Sequence, residues 1–162
     1  MSIEKFKRAV DTGDVLGAIL AIGSLEDVNE EYIELGDCTP LKYAVIEQST
    51  SVIEALLNNG ADVRRSEELV WKPLRYAVHI GHTEIVKLLI AAGADLQGNS
   101  HNNTALHQAC RRPNVDVVDA LIRAGSDVNV KDDKGYTPLY LAHHNNHAEV
   151  AKRLYAAGAS DN

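Results

Sequence analysis

"GHTEIVKLLIAAGADL" (residues 81–96) holds an apolar helical face, Ile85, Val86, Leu88, Leu89 and Ile90, that stops at Gly93-Ala94-Asp95. No catalytic group stands in it, so the stretch is either one helix of an ordinary core or one unit of something repeated. Its ending recurs as "NNGADV" (58–63), "RAGSDV" (123–128) and "AAGASD" (156–161). The glycines Gly60, Gly93, Gly125 and Gly158 are separated by 33, 32 and 33 residues. A second phrase keeps the same step: "TPLKYAV" from Thr39, "KPLRYAV" from Lys72, "TALHQAC" from Thr104 and "TPLYLAH" from Thr137. Two markers sharing one period indicate stacked supersecondary units.

Each unit reads as two short helices. Thr39 is placed to cap the first, with Pro40 at its first position, where a missing N–H costs nothing. "SVIEALLNNG" supplies the second: Val52, Ile53, Leu56 and Leu57 share a face, and Gly60 closes it as a residue free to turn left-handed. The polar residues after "ADV" are too few for another helix, which leaves a projecting hairpin or turn. Neither helix is long enough to be stable alone, so stacking supplies the missing burial.

These phrases resemble the ankyrin repeat: the "TPLxxA" start, the "GHxEIVxLLxxAGAD" second helix and the period all fit that family's pattern. The resemblance implies an all-α ankyrin-repeat solenoid of five helix-turn-helix repeats with projecting hairpin or turn loops, at about 3–34, 35–66, 67–98, 99–131 and 132–162, forming a single domain over 1–162. Repeat one lacks "TPL", and Lys5, Lys7 and Arg8 suit a polar outer face for a terminal unit. Repeat three has Lys72 in place of threonine and the atypical turn "SEELV". In repeat four, Pro113 stands where Gly81 stands in repeat three; proline cannot take a positive φ, so the turn between helices must differ there.

In the family, partners meet the hairpin tips and the inner face of the first helices. Carried over position by position, the tip residues are Cys38, Trp71, Asn103 and Tyr136. The pairs ending the first helices are Ile46-Glu47, His79-Ile80, Arg111-Arg112 and His144-Asn145. Trp, Tyr and Arg are the types enriched at interface hot spots. Trp71 either contacts a partner or folds back over its own turn. Arg111-Arg112 offers guanidinium forks to a carboxylate, which suits a partner with an acidic segment, or else simply solvates a helix end.

Other chemistry finds little to build on. The net charge of −7 argues against a general nucleic-acid binder, which needs a basic surface to neutralise phosphates. No apolar run approaches the ~20 residues that span a bilayer, and charged residues throughout the first twenty leave no secretory leader to expect. Cys38 and Cys110 have no metal-type spacing. An intracellular, cytoplasmic setting and a monomer when free are the expectations. No phosphate loop or nucleophile motif is present. Cys110 takes the place of Val45 and Val78, an apolar buried position where a thiol is inert. His143, His144 and His147 invite a metal, but a turn at Asn145-Asn146 breaks their register, while His147, like His82, and His107 occupy positions with structural roles. The expectation is a non-catalytic protein-binding module with no metal and no cofactor, acting as inhibitor, scaffold or targeting subunit. The alternatives are a histidine-dependent metal binder or enzyme, and a nucleic-acid contact through Arg111-Arg112.

Overall fold

The computed structural model describes residues 2–65, 72–97 and 103–160. Ten helices occupy them, paired as the period requires. They are α1 (Ser2–Asp11) with α2 (Val15–Ile22), α3 (Pro40–Ile46) with α4 (Thr50–Asn58), α5 (Pro73–Ile80) with α6 (Thr83–Ala91), α7 (Ala105–Ala109) with α8 (Val115–Arg123), and α9 (Pro138–His144) with α10 (Ala148–Ala156). Second helices stack in sequence, α2 on α4, α4 on α6, α6 on α8 and α8 on α10. First helices stack likewise from α3 to α9, while α1 rests on a 3-10 turn at Ile33–Leu35. The result is a two-layered all-α solenoid.

The caps follow from the sequence. The hydroxyls of Thr39, Thr104 and Thr137 accept the backbone N–H three residues on, at 3.3, 3.3 and 3.1 Å. Lys72, where threonine is missing, makes no such cap and pairs instead with Asp95 at 3.4 Å. One core runs the length of the stack, with Phe6, Ile53, Leu56, Ile85, Leu89, Leu106 and Leu121 all fully buried. Tyr43 is buried and Tyr76 is packed against the core. Leu88, expected inside beside Leu89, is only half-buried. Neighbouring residues on a helix point about 100° apart, and the core claims Leu89.

Loops between helices turn through one left-handed residue. Gly13 (φ 72°) and Gly81 (φ 77°) do this freely, whereas Gln48 (φ 55°) and Asn146 (φ 59°) do it with a side chain. Repeat four, as Pro113 requires, has no positive φ between α7 and α8; α7 stops at Ala109 and Asn114 caps α8, its side chain accepting the Val117 N–H at 3.1 Å. The Asn114 amide also donates to the Gly81 carbonyl at 2.9 Å, tying repeat four to repeat three. Gln48→Gly should therefore raise stability by about 0.5–1 kcal/mol, since the left-handed conformation costs a side-chain-bearing residue more than glycine's extra unfolded freedom. An unchanged or lower urea midpoint would show that Gln48 carries no strain.

Repeats are also joined through backbone carbonyls. Asp27, Asp62, Asp95 and Asp127 each accept the N–H two residues on, at 2.8–2.9 Å, shaping the same turn four times. The residue so presented reaches into the next repeat: Asn29 donates to Gly60 O at 3.1 Å, Arg64 to Gly93 O at 3.0 Å and Asn129 to Gly158 O at 3.1 Å.

Two expectations for the surface need correction. Cys38, placed at a tip by pattern, is buried; an antiparallel bridge to Tyr32 draws it under the turn, where its thiol donates to Leu35 O at 3.1 Å. The outer face of repeat one is not simply polar: Lys5 and Arg8 are exposed there, but so are Leu16, Ile19 and Leu20. Lys7 instead turns to Asp11 at 2.7 Å, which also accepts the Tyr43 hydroxyl.

Candidate functional site

The hairpin before α9 is built to hold Tyr136. The Asp132 carboxylate accepts the N–H groups of Lys134 (3.0 Å) and Tyr136 (2.9 Å), and Gly135 makes the turn at φ 78°. Tyr136 O in turn accepts the Asp132 N–H at 3.0 Å and the His107 Nε2–H at 2.9 Å. Thr137 then starts α9, so Tyr140 and His144 follow one helical turn apart on one side. The three rings stack into a ladder: Tyr136 and Tyr140 have centroids 4.4 Å apart at 12°, and Tyr140 and His144 are 5.9 Å apart at 9°. Tyr140 remains 45% exposed in spite of its size.

Beside the ladder lies Arg111, exposed at the end of α7. With the Asn103 amide oriented by its hydrogen bonds, the Asn103 side-chain oxygen lies 3.2 and 3.1 Å from the two terminal nitrogens of Arg111. The Asn103 backbone carbonyl accepts from the Arg75 guanidinium. Burial, and secondarily the nearby Arg111 charge, hold the Arg75 guanidinium below its ordinary pKa. Two guanidinium groups thus converge on Asn103, a setting that favours an incoming anion. Asn103, Arg111, Tyr136, Tyr140, His144 and Asn145 line one groove of about 500 Å³ between repeats four and five, with Asp132, Asp133 and Lys134 of the hairpin along its edge.

The groove gathers five of the residues picked out by pattern: Asn103, Arg111, Tyr136, His144 and Asn145. Asn145 spends its amide on Leu141 O at 2.7 Å, closing α9. Arg112 lies 3.4 Å from His79 Nδ1 of repeat three. Ile46 and Ile80 are half-buried at the ends of their helices, and Glu47 is exposed. Trp71 lies outside the described residues. Tyr140 was missed: pattern drew attention to tips and helix ends, whereas Tyr140 stands at the register of Lys42, Arg75 and His107. The spacing of Tyr136, Tyr140 and His144 was the signal that could have found it.

The histidines turn to different neighbours. His143 Nε2 is 3.1 Å from the Tyr155 hydroxyl, His144 stacks on Tyr140, and His147 opens α10. The His82 ring nitrogen accepts the Ile85 N–H at 3.4 Å. Among the described residues no group of three or more His, Cys, Asp or Glu is arranged to hold a metal ion. Cys110 is fully buried, and burial pushes its thiol up to about 12, so it is protonated at neutral pH and no nucleophile. Chemically, the groove can stack a ring, a proline or a planar side chain on the tyrosines and bind a carboxylate at Arg111. No described helix is long and apolar enough to cross a membrane.

Known proteins place these features in context. A family profile described as "Ankyrin repeats (3 copies)" matches residues 74–162, and one described as "Ankyrin repeats (many copies)" matches residues 41–90. Human protein phosphatase 1 regulatory subunit 27 is 34% identical over 55 residues, 34% of this chain and 36% of that protein. Mouse RelA-associated inhibitor is 41% identical over 64 residues, covering 40% of this chain and 8% of that protein. Alpha-latrocrustotoxin-Lt1a of Latrodectus tredecimguttatus is 32% identical over 141 residues, 85% of this chain but 10% of the toxin. The matched region thus spans 36% or less of the length of these relatives.

Proposed function

Because the chain belongs to the ankyrin-repeat family, we propose that it is a non-catalytic module that binds a partner protein and acts by occupancy, with the groove between repeats four and five as its principal contact. One observation carries this: the stacked rings of Tyr136, Tyr140 and His144 lie open beside the exposed Arg111 in a single groove. The bound segment is extended, carries an aspartate or glutamate against Arg111, and sets a proline or aromatic residue on Tyr140. A rigid stack meets it with little ordering cost. Names such as "regulatory subunit" and "inhibitor" among the relatives support a role in which the bound partner is controlled or directed. The proposal includes a monomer when free and an intracellular setting, in which the buried thiols of Cys38 and Cys110 stay reduced.

A displayed peptide library selected on the wild-type protein tests this. Selected peptides should be rich in acidic residues next to proline or aromatics. Arg111→Ala and Tyr140→Ala should each weaken their binding by about 2 kcal/mol or more in calorimetry. Lys87→Ala, on an exposed second-helix position, should change it by less than ~0.5 kcal/mol. Undiminished affinity in both groove variants would move the contact elsewhere.

A further inference from the structure

The two ends of the stack are finished differently. Among the second helices, α2 and α10 each have a neighbour on one side only. In α10 three positions of one face are charged, Glu149, Lys152 and Arg153, the last reaching back to pair with Asp119 of α8 at 3.2 Å. In α2 the matching positions are Leu16, Ile19 and Leu20, which are 75%, 38% and 79% exposed. At the register of Leu16 the other repeats carry Ser51, Glu84 and Asp116, and at that of Ile19 they carry Glu54, Lys87 and Asp119. The register of Leu20 is held instead by Ala55, Leu88 and Ala120, half-buried where a second helix is stacked before them. A single exposed leucine needs no explanation, but a stripe at i, i+3 and i+4 found in one repeat alone marks a contact.

Next to the stripe, α1 and α2 enclose a hollow of about 540 Å³. Ala9, Gly17 and Ala21 form its floor, while Lys5, Arg8 and Leu20 stand exposed at its rim. Gly17 and Ala21 occupy the register of Ile85 and Leu89 in α6; at Gly17 the Asp14 carboxylate takes the room of a side chain, so the space that a large side chain fills elsewhere lies over Ala21. Asp14 also lines it, but its carboxylate is engaged in capping α2 through the Gly17 N–H at 2.9 Å. Neither Lys5 nor Arg8 forms an ion pair among the described residues.

We infer that this end of the stack is a second interaction surface, which receives an amphipathic acidic α-helix of a partner protein alongside α2. The occupant is helical because the register of Leu20 faces a preceding second helix in the other repeats: Arg153, at that register in α10, pairs with Asp119 of α8 at 3.2 Å, and each second helix from α4 to α10 has a helix stacked before it. Its apolar stripe covers Leu16, Ile19 and Leu20 and fills the hollow over Ala21, and its carboxylates meet Lys5 and Arg8. A second copy of this chain is a poorer occupant, because its own α1 would bring the same cations to the contact.

The test uses three labelled synthetic helices of about 14 residues, long enough to cover α2, each stapled to hold the helix. One has leucine along a single face and glutamate elsewhere, one replaces the glutamates with lysine, and one replaces the leucines with serine. Fluorescence anisotropy with the full chain should show the acidic leucine helix binding at least about tenfold tighter than either twin. Leu16→Glu with Leu20→Glu should weaken it by about tenfold or more at unchanged melting temperature, since both side chains are exposed. Lys5→Glu with Arg8→Glu, a variant altered only at exposed positions, should shift preference to the lysine helix. Equal binding of the three helices, or full affinity in both double variants, would overturn the inference. So would sedimentation showing a dimer that Leu16→Glu with Leu20→Glu dissolves, or binding to phosphatidylserine vesicles that the same variant abolishes, because a copy or a membrane would then be the occupant.

Discussion

Leu89→Ala should lower the stability of the protein by about 2–5 kcal/mol, the usual range for truncating a buried leucine. Leu89 is fully buried in α6, the second helix of the central repeat, with α4 stacked on one side and α8 on the other. The cavity would open at the middle of the stack, where both neighbouring interfaces depend on the same helix. A domain of this size holds only about 5–15 kcal/mol in all, so the urea midpoint should fall visibly. Leu88→Ala, one residue away but half-buried, should lose clearly less. An unchanged midpoint in the Leu89 variant would refute its place in the core.

His107→Leu should cost about 3 kcal/mol near neutral pH, because it leaves buried polar groups without partners. The His107 ring is fully buried, its Nδ1 accepting the Thr104 N–H at 3.2 Å and the Thr104 hydroxyl at 2.8 Å, while Nε2–H donates to Tyr136 O. That pattern selects the neutral ring. Burial holds its pKa below the ordinary 6.5, outweighing the Tyr136 carbonyl and the Asp132 carboxylate, which raise it; the Arg111 charge acts with burial. A base depressed in the folded state takes up protons more readily unfolded, so its contribution is complete above pH 6.5 and is lost as pH falls through and below that value. The gap between wild type and His107→Leu should therefore narrow between about pH 7.5 and pH 5.5. Parallel curves across that range would show that His107 is not held neutral.

Much of the architecture was legible because it is written several times. The recurring glycines and the "TPL" phrases locate helices, caps and turns, and Pro113 alone marks the turn that has to differ. The structural use of His107 was legible too, since its place in "TALHQAC" lies inside the helix cap. Residues whose environment depends on one local geometry were not. Cys38 sits at a tip by pattern but is drawn inward by the bridge to Tyr32, and Tyr140 gains its importance only when the hairpin lays Tyr136 over its ring. The open leucines of α2 were not legible either: the registers of Leu16 and Ile19 hold polar residues in the other repeats, and Leu20 is laid open because nothing is stacked before it, which a residue-by-residue pattern does not register.

The links made from the aspartate turns run one way, although Asn114 also donates back to Gly81 O. Asn29, Arg64 and Asn129 each reach forward to a carbonyl at the end of the following unit's second helix, and Asn29 and Asn129 also accept an N–H from that unit, from Asp62 at 2.6 Å and Ser160 at 3.0 Å. Loss of the final unit strands the exposed Asn129 side chain, which water satisfies, and also takes Tyr136 O from the His107 ring. Loss of the first strands Gly60 O and the Asp62 N–H, which are exposed and pass to water. Fraying at either end therefore meets the same forward links from opposite sides, giving up main-chain partners at the tail and a side-chain partner at the head.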